Sequence, residues 1–300
     1  PAKGAVRLWT HEAFASGAEV VSYFRWRQAP FAQEQMHEGL LQPNSEPNEA
    51  YYEVAKVKAE LESLNTIITP SKSRIALVFD YESAWAWNIQ PHGSDFSYSQ
   101  LVQTFYSALR RLGLSIDIVP ADQHMLQDRD LIIIPGLFSF KPDFIRFLEK
   151  TNSIVLAGPR TGTKTSNFHI ENNKDYNLFS VFGFSVKRTE SLRPGTEINI
   201  EDIGSFIHWR EILECSSSLQ PILISQDGFP ALVNNNNIFY LTGWPTEQLA
   251  NYVLEYLLMK LNIKPVTLPE NLRIRDNGDK RYFFNYGDTP LNIKHLIDGS

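Results

Sequence analysis

The strongest constraint on this chain is an alternation of short apolar runs with amphipathic segments between residues 74 and 157. Arg74-Ile-Ala-Leu-Val-Phe79, Ser115–Val119, Asp130-Leu-Ile-Ile-Ile134 and Ser153-Ile-Val-Leu-Ala157 have strand length and almost no polar residues. Strands buried on both faces read as continuous apolar runs; strands with one wet face alternate. Between them lie helix patterns. In Tyr98–Leu112 the residues Leu101, Phe105, Leu109 and Leu112 share one face, and Gly113 closes the segment. Pro142–Lys150 has proline in its first turn, where the missing N–H costs nothing. Strands alternating with helices predict an α/β domain with a parallel sheet covered on both sides.

The texture changes after Gly158. Thr161–Tyr176 is rich in Thr, Asn and Lys and reads as a surface loop. Ile198–Ile207, Gln220–Ser225 and Ala231–Thr242 have strand composition, and Asn234-Asn-Asn-Asn237 marks a hairpin turn because asparagine tolerates positive φ. Thr246–Leu261 reads as a helix with Leu249, Val253, Leu257 and Leu261 inward. Lys280–Phe284 and Leu291–Leu296 read as short strands.

Residues 1–64 predict helix, strand, long loop, helix. Val6–Ser16 is the first helix and Gly17 its stop; Val20–Phe24 reads as a buried strand; Asn48–Leu61 is an amphipathic helix. A lone parallel strand needs partners, so this segment must dock on others. Directly after the strand comes Phe24-Arg-Trp-Arg-Gln-Ala-Pro-Phe-Ala-Gln-Glu-Gln-Met-His37. Two arginines, a tryptophan, Glu34 and His37 in one run deliver polar groups to a site instead of continuing a core. Thr69–Ser73 has linker composition.

Composition excludes several classes. The 300 residues carry a net charge of -6 and no basic cluster with interleaved aromatics, so nucleic acid is not an expected partner. One cysteine, Cys215, permits no internal disulfide and fits a reducing, cytoplasmic setting. No apolar run approaches the roughly 20 residues of a membrane span, and residues 1–16 lack the apolar core of a signal peptide.

Arg7-Leu-Trp-Thr, Gly17–Gln28, Gln33-Glu-Gln-Met-His37 and Gly39-Leu-Leu41, continued by Val78-Phe-Asp-Tyr-Glu-Ser-Ala-Trp85, resemble the family-42 β-galactosidases from the end of their catalytic barrel onward. The resemblance implies that residues 1–68 are the last elements of a (β/α)₈ barrel: helix 7, strand 8 and helix 8. It implies a linker at 69–73, a flavodoxin-like trimerisation domain at 74–262 and the start of a small β domain at 263–300. It further implies a galactoside substrate and a homotrimer. Glu34 and His37 match positions that hydrogen-bond galactosyl hydroxyls. Trp26 is a weaker candidate, since a tryptophan at a barrel mouth either stacks on sugar or packs in the wall.

Retaining glycosidases need two carboxylates about 5 Å apart. The family takes them from the fourth and seventh barrel strands, which are expected upstream of Pro1, so no catalytic residue is assigned here. Glu12 and Glu19 sit in or beside helix-like sequence and are not promoted. The family's metal cluster belongs to the same absent part, so neither metal nor cofactor is expected. The alternation over 74–157 also resembles class I glutamine amidotransferase folds, which need a cysteine nucleophile on a tight turn. Cys215 lies in polar Glu214–Ser218, and the turn after the fourth strand reads Gly158-Pro-Arg-Thr-Gly162 without a cysteine. The same turn followed by Thr163-Lys164-Thr165 lacks the Gly-Lys-Ser/Thr ending of a phosphate loop. Tyr81, Trp85 and Trp87 read as packing or interface aromatics. Two functions remain: part of a retaining β-galactosidase, or a non-catalytic trimerising, sugar-binding scaffold.

Overall fold

The computed structural model of the chain describes residues 1–64, 71–170, 181–216, 219 and 221–298. The expected linker and surface loop fall partly outside these residues. The described chain forms two compact units, Ser73–Leu268 and, together, Pro1–Lys72 with Pro269–Ser300.

The larger unit is built on the parallel strands β1 (Ile75–Val78), β2 (Ile116–Val119), β3 (Leu131–Ile134) and β4 (Ile154–Ala157). Three more strands extend this sheet. β8 (Pro221–Ile224) and β9 (Pro230–Asn235) are antiparallel; β10 (Ile238–Leu241) runs parallel to β4. The order is β2-β1-β3-β4-β10-β9-β8. The Asn234–Asn237 turn closes the β9–β10 hairpin with Asn236 at φ 56°.

Alternate residues of each central strand feed two cores. Ile75 and Leu77 pack with Leu101, Phe105 and Leu109 of α4 (Tyr98–Arg111) and with Leu249, Val253 and Leu257 of α7 (Glu247–Lys260). Ala76 and Val78 face Leu126 of α5 (Gln123–Leu126) and Phe144 and Leu148 of α6 (Pro142–Lys150). Each fully buried Leu, Ile or Phe side chain contributes about 1.5–3 kcal/mol, so both faces of the sheet are committed. The α4 helix starts at the Ser97 cap, whose Oγ accepts from Gln100 N at 3.3 Å. At the opposite end of the sheet, buried Arg129 meets Asp117 at 2.5 Å.

A second sheet joins β5 (Phe184–Ser191), β6 (Ile198–Asn199), β7 (Ser205–Cys215) and β11 (Gly243–Pro245). Glu211 of β7 ties it to the first. Its carboxylate accepts from the Tyr240 hydroxyl of β10 at 2.7 Å and from the Arg160 amide at 3.0 Å. Gly243 lies against the Phe206 ring; an added Cβ would meet it at 2.5 Å. The expected single strand at 198–207 is two strands, β6 and the start of β7, separated by a turn at 200–204.

Asp80, two residues beyond β1, caps α3 (Tyr81–Ile89), accepting from Ser83 N at 2.7 Å. The sequence does not announce this helix, because its apolar residues point two ways. Trp87 is buried against Phe138, Phe96 and Trp244, while Tyr81, Trp85 and Ile89 are exposed.

In the smaller unit, α1 (Ala5–Ala15) packs on α2 (Glu49–Ser63). Glu53 of α2 accepts from the amides of Gly4 at 2.5 Å and Arg7 at 2.9 Å, satisfying two donors that a helix start leaves open. Arg7 and His11 both bond Glu60. β12 (Leu272–Asn277) and β13 (Lys280–Asn285) form a hairpin that contacts α1, followed by α8 (Lys294–Asp298). Two expectations fail here. Val20–Phe24 forms no strand, and Val20 and Phe24 are exposed, because no described strand is available to pair with it. Residues 294–296, expected as part of a strand, begin α8.

Burial pushes the Glu211 carboxyl up to about 7, against the lowering hydrogen bond of Tyr240 and the charge of Arg160. The folded state therefore holds a proton that the unfolded chain releases near its ordinary value of 4.5. Stability from this group is complete below about 4.5 and lost as pH rises through about 7. Urea unfolding across that window should show wild-type stability falling with pH relative to Glu211→Gln; parallel profiles would contradict the placement of Glu211.

Candidate functional site

The polar run after residue 24 folds into a compact exposed loop. Its ends are laced by backbone bonds: Leu40 N to Arg25 O at 2.8 Å, Leu41 N to Trp26 O at 2.8 Å, and Gln28 N to Leu41 O at 2.9 Å. Gly39 is required at this crossing, since a Cβ there would lie 2.7 Å from Gln28 N and 2.9 Å from Arg25 O. The lacing holds the intervening residues 29–38 as a closed loop on a fixed base.

Within the loop, Glu34 adopts φ 61° and its carbonyl accepts from His37 N at 3.0 Å. That turn sets Glu34 and His37 three residues apart across one bend. Arg25 reaches Glu34 through Nη1 to the carbonyl at 3.4 Å and Nη2 to the carboxylate at 4.0 Å. His37 meets Phe24 edge-on, with ring centroids 6.0 Å apart. Arg27 Nη1 donates to Ser45 Oγ at 3.0 Å and braces the following turn. Trp26, Glu34 and His37 are all exposed. The loop thus presents a carboxylate, an imidazole and an indole on one support. Those groups can accept from hydroxyls, donate to them, and cover an apolar ring face.

Glu12 accepts from the Tyr286 hydroxyl, and Glu19 is exposed on the turn after α1. Among the described residues, no group of three or more His, Cys, Asp or Glu is arranged to hold a metal ion, and no helix is long and apolar enough to cross a membrane.

The larger unit carries a second concentration of chemistry, at the carboxyl end of its parallel strands. The turn after β4 places Arg160 at φ 66° and Gly162 at φ 74°. Arg160 is where a tight-turn nucleophile would sit, and it is buried among Trp87, Phe138 and Trp209. Cys215 lies instead at the end of β7, opposite Phe184, and burial raises its thiol. Sequence reasoning passed over Arg160 because it sought a nucleophile at that turn; the glycines two residues either side of it, 158 and 162, were the available signal.

Two family models match the chain. One, described as β-galactosidase, matches residues 1–64; the other, described as β-galactosidase trimerisation domain, matches residues 73–264. β-Galactosidase BgaA from Thermus sp is 44% identical over 309 residues, covering 100% of this chain and 47% of that protein. The crystal structure of β-galactosidase from the psychrophilic Marinomonas ef1 superposes with a TM-score of 0.89 at 36% identity, covering 97% of this chain and 46% of the other. The β-galactosidase of the Antarctic haloarchaeon Halorubrum lacusprofundi does so with a TM-score of 0.87 at 32% identity, covering 95% and 45%. The chain therefore spans a little under half the length of the relatives it matches. Over that span, it belongs to the family-42 β-galactosidases.

Proposed function

We propose that this chain supplies two parts of a retaining β-galactosidase: a loop that contacts the galactosyl ring and a domain that assembles three copies. The observation that carries the reading is the laced loop at 25–41. It exposes Trp26, Glu34 and His37 together, in a segment matching the β-galactosidase family model. A carboxylate accepts from two ring hydroxyls of fixed stereochemistry, and an imidazole bonds a third. An epimer would leave one of those groups unpaired, which is how such a site discriminates. In this reading residues 1–68 end the barrel, 69–73 link, 74–262 assemble, and 263–300 open a small β domain. The single cysteine supports a reducing, cytoplasmic setting.

Assembly has its own support in α3. Tyr81, Trp85 and Ile89 are 68%, 61% and 78% exposed at positions i, i+4 and i+8. The opposite side of the same helix buries Trp87. A helix apolar on both sides needs cover on both. A three-fold assembly joins unlike patches, so this stripe meets a different surface of the next copy.

In the whole enzyme, Glu34→Gln and His37→Ala should each lower kcat/KM for a β-galactoside by about 100-fold, the loss of a charged or buried hydrogen bond worth about 1.5–3 kcal/mol. Unchanged kinetics would remove the loop from the site and leave the scaffold reading. Trp85→Glu should convert the trimer to smaller species in light scattering while leaving the far-ultraviolet dichroism intact. A variant that stays trimeric would assign α3 another role.

A further inference from the structure

Arg160 presents a problem that the galactoside reading does not use. Its side chain is only 8% exposed. Its amide donates to Glu211, but its Nη1 has no hydrogen-bond partner among the described residues. No described carboxylate lies within ion-pair distance of the guanidinium. Three rings crowd it instead: Phe138 at 4.6 Å, Trp209 at 5.0 Å and Trp87 at 5.3 Å from its central carbon. Cation–π contact offsets part of the desolvation, yet it leaves an N–H donor unsatisfied.

Two further basic groups converge on the same place. Lys164, 9% exposed, stands 5.5 Å from the Phe138 ring that also faces Arg160. Its ammonium gives one bond, to Gln90 Oε1 at 2.9 Å, leaving donors to spare. Solvent-exposed His92 lies on Trp209, with ring centroids 4.6 Å apart. Partial burial, then the charges of Arg160 and Lys164, push its imidazole down to about 4, so it stays neutral at physiological pH. The carboxylate acting on Arg160 is Glu211, which already holds Tyr240 and the Arg160 amide and is itself pushed towards neutrality by burial. Arg160 thus has one weakly ionised acid beside it while Lys164 adds a second positive charge, so the pair of buried cations is short of negative charge.

The position has a physical precedent. Arg160 follows β4, in the turn beyond the carboxyl end of a parallel strand, the side on which open α/β sheets take ligands. We propose that Arg160, Lys164 and His92 form a binding site for a small carboxylate anion. The aromatic rings occupy the space around the guanidinium, so an acceptor enters along its N–H edge. A planar carboxylate matches that edge with two parallel bonds, and a tetrahedral oxyanion matches it less well. Lys164 supplies a point charge to the same anion, and exposed His92 marks the mouth. This inference is independent of the galactoside loop, which lies in the other unit.

The test uses the full-length protein and three probes: sodium acetate, sodium phosphate, and sodium chloride as the ionic-strength control. Isothermal titration should give saturable acetate binding with a dissociation constant on the order of 1 mM. Proton NMR should show the His92 titration midpoint rising in acetate, because a bound anion favours the imidazolium. Lys164→Gln should weaken acetate about tenfold while leaving galactosidase activity unchanged; Arg160→Met should abolish binding. If Arg160→Met unfolds, the Lys164 variant and the His92 midpoint still decide the matter. An unsaturable heat with an unmoved His92 midpoint overturns the site, leaving an ordered water as Arg160's partner. Tighter binding of phosphate than of acetate overturns the carboxylate assignment.

Discussion

Backbone pairing decides which parts of this chain can form a sheet. β1, β3 and β4 are short, four residues each, and survive because each lies between hydrogen-bonding neighbours in a seven-stranded sheet. Val20–Phe24 is largely apolar and has no described strand beside it; it remains irregular, with Val20 and Phe24 exposed. The same residues thus read as strand or as loop according to what lies beside them. The lacing of 25–28 to 39–41 takes its place: it satisfies a few amides locally and holds the polar loop closed without a sheet.

Once the central sheet is set, its two faces fix the rest of the larger unit. Alternating side chains send Ile75 and Leu77 one way and Ala76 and Val78 the other, and each set recruits its own helices. The carboxyl ends of the strands then gather the turns of Gly136 and Arg160 with the aromatics Trp87, Phe138, Trp209 and Trp244. Trp87 anchors this gathering, with Nε1 donating to Gly136 O at 3.2 Å. Glu211, placed on the second sheet and bonded to Tyr240 on the first, couples the two layers through buried polar groups. Such couplings specify one arrangement of layers, because a shifted register would leave the acid unsatisfied.

Much of this was legible in the sequence, and the exceptions have common causes. The four parallel strands, α4, α6, α7 and the Asn234–Asn237 hairpin each carry a local signal: an unbroken apolar run, a 3.6-residue stripe, or a turn residue. α3 was missed because Tyr81, Trp85 and Ile89 destroy the amphipathic stripe that Trp87 would have defined. β5 was missed because it is largely polar, and its place comes from pairing with β7. The strand expected at 291–296 shows the limit of composition over a short apolar stretch, which helix and strand fit equally well. Of the candidate site, Glu34, His37 and Trp26 stood out by residue type, and their presentation on one closed loop depends on Gly39, whose close approach no pattern announces. Arg160 stayed invisible because its significance lies in what surrounds it, and those rings come from residues 87, 138 and 209.

The role proposed for the 25–41 loop is to hold the galactosyl ring in the assembled enzyme. The most direct measurement is a crystal structure of the full-length protein with galactose bound. Glu34 carboxylate and His37 imidazole atoms should lie within about 3 Å of galactosyl hydroxyls. A sugar bound with both side chains still in solvent would contradict it.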